Sequence, residues 1–237
     1  MKTRLNKFLA QRGVCSRRQA DALIDTGKVK VNGIVATLGL QVDEEDNIVV
    51  SGRRVAGERP DKVYLVFHKP VGIMTSVDPK AKDTVRSFLD LPPSVFPVGR
   101  LDVASSGLLI LTNDGELSEH ITHPRYDHEK EYLVTVDRAV RREDLRTMAE
   151  GMMILGSKTK PAVVKKIGDN RFSIILTEGR NRQIRRMCEM LGYEVKALRR
   201  VRVMNIELGD LPSGRTRLLS KKEIRDLKQT LHLASNK

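Results

Sequence analysis

Phe96-Pro97-Val98-Gly99-Arg100-Leu101-Asp102 is an apolar run that ends in an arginine and a carboxylate two residues apart, and a second apolar run, Gly107 to Leu111, follows almost at once. Short apolar runs bounded by glycine read as buried strands. The first, residues 95–98, would carry Arg100 and Asp102 to the edge of a sheet, and 108–112 reads as a further strand. Similar runs occur at 63–67, 132–136, 163–167, 172–177, 195–203 and 217–219. Helical segments fall between them at 84–89, 116–121, 142–150 and 181–191. A last helix, 221–231, is announced by Ser220 with Glu223 three residues on. Many strands, few helices and irregular alternation predict an α+β domain on a mixed or antiparallel sheet. With no glycine-rich dinucleotide or P-loop fingerprint, a doubly wound nucleotide fold is not expected.

A smaller α+β module precedes this region. Leu5 to Leu9 show helical spacing, Gly13 breaks it, and Ser16 with Gln19 forms a capping-box pattern ahead of a second helix over 17–25, ended by Gly27. Strands follow at 28–31 and 34–36. Between them Asn32-Gly33 is a strong hairpin signal, because both turn positions need positive φ. A strand over 48–50 closes the unit before Ser51-Gly52. Residues 53–61 are polar, contain Gly57 and Pro60, show no periodicity, and read as a linker. The expected division is a module over 1–52, a linker over 53–61 and a larger domain over 62–237.

The chain of 237 residues has 43 basic and 30 acidic side chains, a net charge of +13, which points to a nucleic-acid partner. The apolar runs are too short to span a bilayer, and the charged N-terminus has no apolar segment behind it, so neither a membrane nor a secretory route is expected. Two cysteines, Cys15 and Cys188, are too few for a disulfide framework, and a reducing cytoplasm is the expected compartment. With no tryptophan and 4% aromatic residues, recognition is expected to rest on arginine, lysine and shape rather than on rows of stacking rings. The charge is also clustered. Residues 1–42 hold eight bases against Asp21 and Asp25, and residues 179–202 hold eight against Glu189 and Glu194. A solvated helical face mixes its signs; these segments do not, which favours phosphate contacts. The second cluster, Gly179-Arg180-Asn181-Arg182-Gln183-Ile184-Arg185-Arg186-Met187, lies between a strand and a helix, whose N-terminus adds positive potential.

Taken alone, Asp102 reads as a strand-end residue capping the turn into Ser105-Ser106-Gly107, and Tyr132 as a packed cross-strand tyrosine. Their context changes that. The first fifty residues resemble the S4 RNA-binding domain through Arg4-Leu5, Leu9, Ser16-Arg17, Ile24, Gly27 and Val29-Lys30-Val31-Asn32-Gly33. That resemblance implies RNA contacts at Arg4, Arg17, Arg18, Lys28 and Lys30. Farther on, Gly99-Arg100-Leu101-Asp102, Ser106-Gly107-Leu108-Leu109, Thr112-Asn113-Asp114-Gly115, Lys130-Glu131-Tyr132 and the 179–187 segment follow in the order and spacing of the RsuA-type ribosomal-RNA pseudouridine synthases. The run from Met187-Cys188-Glu189 to Arg202-Val203-Met204-Asn205 is most similar to the large-subunit, RluF-like branch.

The resemblance implies an enzyme that isomerises a uridine to pseudouridine in ribosomal RNA, most readily 23S rRNA, after flipping the base out of its stack. Asp102 would act at the sugar, Arg185 would pair with Asp102, and Tyr132 would stack on the uracil near C5. Arg100 would bind phosphate or fill the space left by the flipped base, and Arg180, Arg182 and Arg186 would bind RNA. Lys69-Pro70, Gly72 and Met74 resemble the family's first motif and would shape the pocket floor. The reaction adds and removes no atoms, so no cofactor is expected. The five histidines are scattered in sequence, so no metal site is expected. A monomer is the default expectation, and a tRNA as second substrate stays open. Two rivals remain on sequence grounds: a non-catalytic RNA-binding protein on the same fold, and a glycosylase that leaves an abasic site.

Overall fold

Pairs of positive-φ residues decide the N-terminal module. In the computed structural model, which describes residues 2–55, 60–78, 81–92 and 94–233, Asn32 (φ 52°) and Gly33 (φ 85°) turn the Val29–Val31 strand back onto Ile34–Val35. Ser51 (φ 48°) and Gly52 (φ 81°) repeat the device, so that Arg53–Arg54 pairs antiparallel with Ile48–Val50. The reading of 53–61 as linker is corrected at its start: Arg53 and Arg54 belong to a four-stranded sheet. Residues 56–59 of that segment lie outside the described residues. Helices Leu5–Gln11 and Arg17–Asp25 complete the module, and Ser16 and Gln19 cap the second reciprocally, at 3.3 and 3.0 Å. Leu5, Leu9, Ala20, Ile24, Val29 and Ile48 form its core.

The chain divides into two units, one of them formed by the segment up to Val63 with Leu91–Phe96 and Thr112–Gly115. The other is built on a nine-stranded mixed sheet, whose main path runs Val163–Gly168, Arg171–Leu176, Lys130–Val136, Val195–Val203, Ser106–Thr112, Tyr64–Lys69 and Thr216–Leu218. Lys130–Val136 is antiparallel to both its neighbours, whereas Val195–Val203 runs parallel to Ser106–Thr112. The predicted helices are present at Val85–Phe88, Gly115–Thr122, Arg142–Glu150, Gln183–Met190 and Lys221–Thr230. The last carries the expected Ser220–Glu223 capping box. A hairpin of Met153–Ile154 and Ser157–Lys158 has no counterpart in the sequence reading. No helix among the described residues is long and apolar enough to cross a membrane.

Helix Gln183–Met190 shows how this fold presents charge. Ile184, Met187 and Cys188, at i, i+3 and i+4, are buried against Val134, Phe172 and Ile174 of the sheet. That leaves Arg182, Arg185 and Arg186 off the buried stripe, at the helix end nearest the site.

One buried acid braces the same core from behind. Asp144, 5% exposed, accepts from Arg141 Nε and Nη2 at 2.9 and 3.1 Å and from the Tyr193 hydroxyl at 2.5 Å. The Arg141 hydrogen bonds hold its carboxyl below the usual range, against the opposing effect of burial. Because the folded-state pKa is depressed, the stability from this group is present above the unfolded value of about 3.9 and is lost as pH falls through the folded value. Arg141 is largely exposed, so the tyrosine hydrogen bond is the better-shielded part. Tyr193→Phe is expected to cost about 1.5–3 kcal/mol at pH 7, the range for a hydrogen bond to a charged group. Thermal melts should show that difference shrinking in acid as Asp144 protonates.

Candidate active site

Three neighbouring strands build the site. Tyr132 lies on Lys130–Val136, opposite Arg200 on Val195–Val203, and Arg200 in turn lies opposite Gly107 on Ser106–Thr112. Gly107 has φ +111°, and a Cβ there would come within 2.2 Å of the Arg200 carbonyl oxygen. Only glycine permits so close an approach of the two backbones. Asp102 sits four residues upstream of Ser106, in a turn closed by the Ser105 amide donating to the Asp102 carbonyl at 3.0 Å. The turn foreseen for an isolated aspartate is therefore present, but it uses the backbone. Among the described residues, no hydrogen bond or ion pair holds the Asp102 carboxylate.

That carboxylate lines a cavity of about 120 Å³ together with Arg100, Tyr132, Arg180, Arg182 and Leu198. Tyr132 also packs against the adjoining core, so it is at once a packed residue and a wall of the cavity. Asp102 and Tyr132, thirty residues apart in the chain, thus line one cavity.

Arg185 differs from expectation. It makes no ion pair with Asp102. Its Nη2 donates to the Ala104 carbonyl at 2.8 Å, with Ser105 Oγ at 3.4 Å, and its Nη1 donates to the Val195 carbonyl at 3.3 Å. The backbone that follows Asp102 takes the guanidinium, so Arg185 fixes the aspartate's loop instead of its carboxylate. Its Nε is buried without a partner. Burial, with Arg182 nearby, pushes the Arg185 pKa down, and the charge of Asp102 pulls it up.

The other arginines of the segment divide by task. Arg182, left-handed at φ 51°, is exposed and lines the cavity. Arg180 is tied down: Nε donates to Glu178 at 3.1 Å, Nη1 to Ser157 Oγ at 2.8 Å and Nη2 to the Lys158 carbonyl at 2.5 Å. It clamps the 153–158 hairpin at the cavity rim. Arg186 is half-buried and donates to the carbonyl of Asn181 at 3.1 Å. In the N-terminal module, Arg4, Arg17, Arg18, Lys28 and Lys30 are all exposed.

Two buried cations do more than the sequence reading assigned them: Lys69 stood only as part of the motif at the pocket floor, and Arg200 only as one base of the 179–202 cluster. Lys69 is fully buried, its Nζ donating to the carbonyls of Pro70 and Ile73 at 2.8 and 2.7 Å. Burial pushes its ammonium down to about 8 against the pull of Asp102. Arg200, 4% exposed, donates from Nε to the Leu108 carbonyl at 2.8 Å, with Nη1 3.5 Å from the Arg100 carbonyl. It shares its strand phase with buried Leu198, and an arginine on the apolar phase of a central strand was the available signal. The histidines read as scattered are also regrouped. The rings of His120, His128 and His123 lie 5.1, 5.7 and 6.1 Å from that of Tyr126, and Arg125 lies 4.5 Å over the same ring. No group of three or more metal-ligating side chains occurs among the described residues.

The stretch of chain that carries this site matches a known family. Residues 63–190 match the RNA pseudouridylate synthases, and residues 3–48 match the S4 domain. The chain belongs to the RNA pseudouridylate synthase family and is an RNA pseudouridine synthase with an N-terminal S4 domain. It is 45% identical over 234 residues to the dual-specificity RNA pseudouridine synthase RluF of Escherichia coli K12, covering 98% of this chain and 81% of the relative. It is 40% identical to ribosomal large subunit pseudouridine synthase B of Bacillus subtilis, covering 95% of each chain. A crystal structure of a pseudouridylate synthase superposes with a TM-score of 0.70 at 34% identity, covering 94% of this chain and 99% of the other.

Proposed function

We propose that this enzyme converts a specific uridine of large-subunit (23S) ribosomal RNA to pseudouridine, with Asp102 as the group that acts on the sugar. The observation that carries the assignment is the free Asp102 carboxylate lining the same cavity as Tyr132 and Arg182. The large-subunit substrate is supported by the name of the B. subtilis relative. The E. coli relative is named for dual specificity, so a second RNA belongs in the test, and a tRNA is our candidate. The cytoplasm, and a monomeric enzyme, complete the proposal.

The uridine must leave its stack to reach a carboxylate in a cavity. Breaking the C1′–N1 bond leaves positive charge on the sugar, which a carboxylate stabilises electrostatically or traps as an ester, as glycosidase nucleophiles do. Abstraction of a ribose proton to give a glycal uses the same carboxylate. The freed uracil turns, C5 bonds to C1′, and C5 gives up its proton, so that the product is an isomer of the substrate. Tyr132 would hold the uracil face and stand near C5. Lys69 and Arg185 would keep the Asp102 loop cationic and rigid, and Arg100 and Arg182 would take phosphates. A base-removing glycosylase would share the aspartate and the cavity, so the products separate the two.

Carbodiimide-blocked primer extension should map at least one stop in 23S rRNA from cells that contain the protein and none at that position without it. Restoration of the stop by the purified enzyme on unmodified rRNA completes the test. Strand scission at that position under mild base would instead report an abasic product.

A further inference from the structure

Asp102 faces two chambers. Arg100, Leu101, Asp102 and Arg182 also border a second and larger cavity, of about 660 Å³, whose lining includes Val71, Met74 and Val103. A volume of about 300–1,000 Å³ is usual for a ligand pocket. Val71, Met74 and Val103 are 62, 46 and 44% exposed. One exposed aliphatic residue means little, but here three line one cavity with Arg100 and Arg182, whose side chains have no hydrogen bond or ion pair among the described residues. Hydrogen bonds tie this lining together. The Gly72 amide donates to the Val103 carbonyl at 2.9 Å, Thr75 Oγ1 donates to the Leu101 carbonyl at 2.8 Å, and the Met74 amide donates to Asp83 at 2.7 Å. Buried Lys69 holds the turn from within through Pro70 and Ile73. A platform fixed before its ligand arrives loses little entropy on binding.

We propose that this chamber is a binding subsite for the nucleotide that flanks the reacting uridine. Its unstacked base lies on Val71, Met74 and Val103, and the phosphate joining it to the uridine lies between Arg100 and Arg182. Aliphatic surface suits a nucleobase face, and guanidinium groups suit the phosphate. The two chambers share one wall, as consecutive nucleotides share one phosphate. The proposal rests on the RNA isomerase reading above and extends it: the enzyme extrudes two adjacent bases and reacts with one.

The test uses a stem-loop RNA carrying the mapped uridine tritiated at C5, with tritium release followed under single-turnover conditions. Abasic residues replace the 5′ or the 3′ neighbour in turn, and the enzyme is wild type or the surface double variant Met74→Ser, Val103→Ser. Wild type should need roughly fivefold more enzyme for half-maximal rate when the correct neighbour is abasic, the low end for loss of one stacked base. The double variant should show the same loss on intact RNA and no further loss on the abasic RNA, with the effect on half-saturation and not on the maximal rate. Unchanged half-saturation for wild type on both abasic RNAs, or losses that multiply between variant and abasic RNA, would overturn the subsite. No tritium release by wild type from intact RNA would instead remove the isomerase reading beneath it, and that control is read first.

Discussion

Asp102→Asn should lower pseudouridine formation by about 10⁴-fold or more, the scale on which removal of a covalent or charge-stabilising group acts. RNA affinity should hold or rise. The reasons lie in the contacts. No hydrogen bond or ion pair among the described residues holds the carboxylate, so an isosteric amide leaves the turn, closed by Ser105 and Asp102 backbone, in place. The substitution removes an acid near Arg100, Arg182, Arg185 and Lys69 and leaves Glu178, already paired with Arg180, as the other carboxylate of the lining, which makes the cavity more attractive to phosphate. It also ends the pull that opposes the burial of Lys69, so that the ammonium, already lowered to about 8, should titrate lower still. Single-turnover rates and filter binding on the same RNA measure the two effects separately. Activity within tenfold of wild type would move the chemistry elsewhere.

Gly107→Ala should be the most disruptive single-methyl change in the sheet. The added carbon would stand 2.2 Å from the Arg200 carbonyl oxygen and 2.6 Å from its amide nitrogen, both backbone atoms of the parallel pairing between Val195–Val203 and Ser106–Thr112, and φ of +111° is itself foreign to alanine. Neither partner can rotate away. The strands must separate, with loss of the Arg200–Leu108 hydrogen bond, and a cost of more than about 4 kcal/mol is expected, of the order of a domain's whole stability. Thermal melts should show a collapse of the transition, and most of the protein should be found insoluble. Gly115→Ala supplies the control: at that position no atom lies within 4 Å and φ is ordinary, so the melt should stay close to wild type.

Local signals in the sequence survived folding well. Helix Arg142–Glu150 and strand Val195–Val203 have the bounds their periodicity indicates, and both capping boxes form. The pairing of Asp102 with Tyr132 around one cavity was legible because five motifs stand in a fixed order. What escaped depends on register or on tertiary neighbours. The 153–158 hairpin turns through Leu155 at φ 50° and Gly156, and a leucine does not announce a left-handed turn. Arg53 and Arg54 read as linker because pairing with Val49 and Val50 needs the Ser51-Gly52 turn to be seen as a hairpin, not as an end. The preference of Arg185 for the carbonyls of Ala104 and Val195 could not be read from charge alone. An arginine near a carboxylate bonds whichever acceptor the backbone brings closest.

The order of assembly follows from where these pieces lie along the polypeptide. Lys69, Asp102, Tyr132, Arg185 and Arg200 come together only when the Val195–Val203 strand slots between two partners made much earlier. Contacts this distant in the chain form late and slowly. On a translating ribosome the S4 module can close within its first fifty-odd residues, whereas the reaction chamber must wait until most of the protein has emerged. A polypeptide that stalls before that strand would hold a grip without a blade.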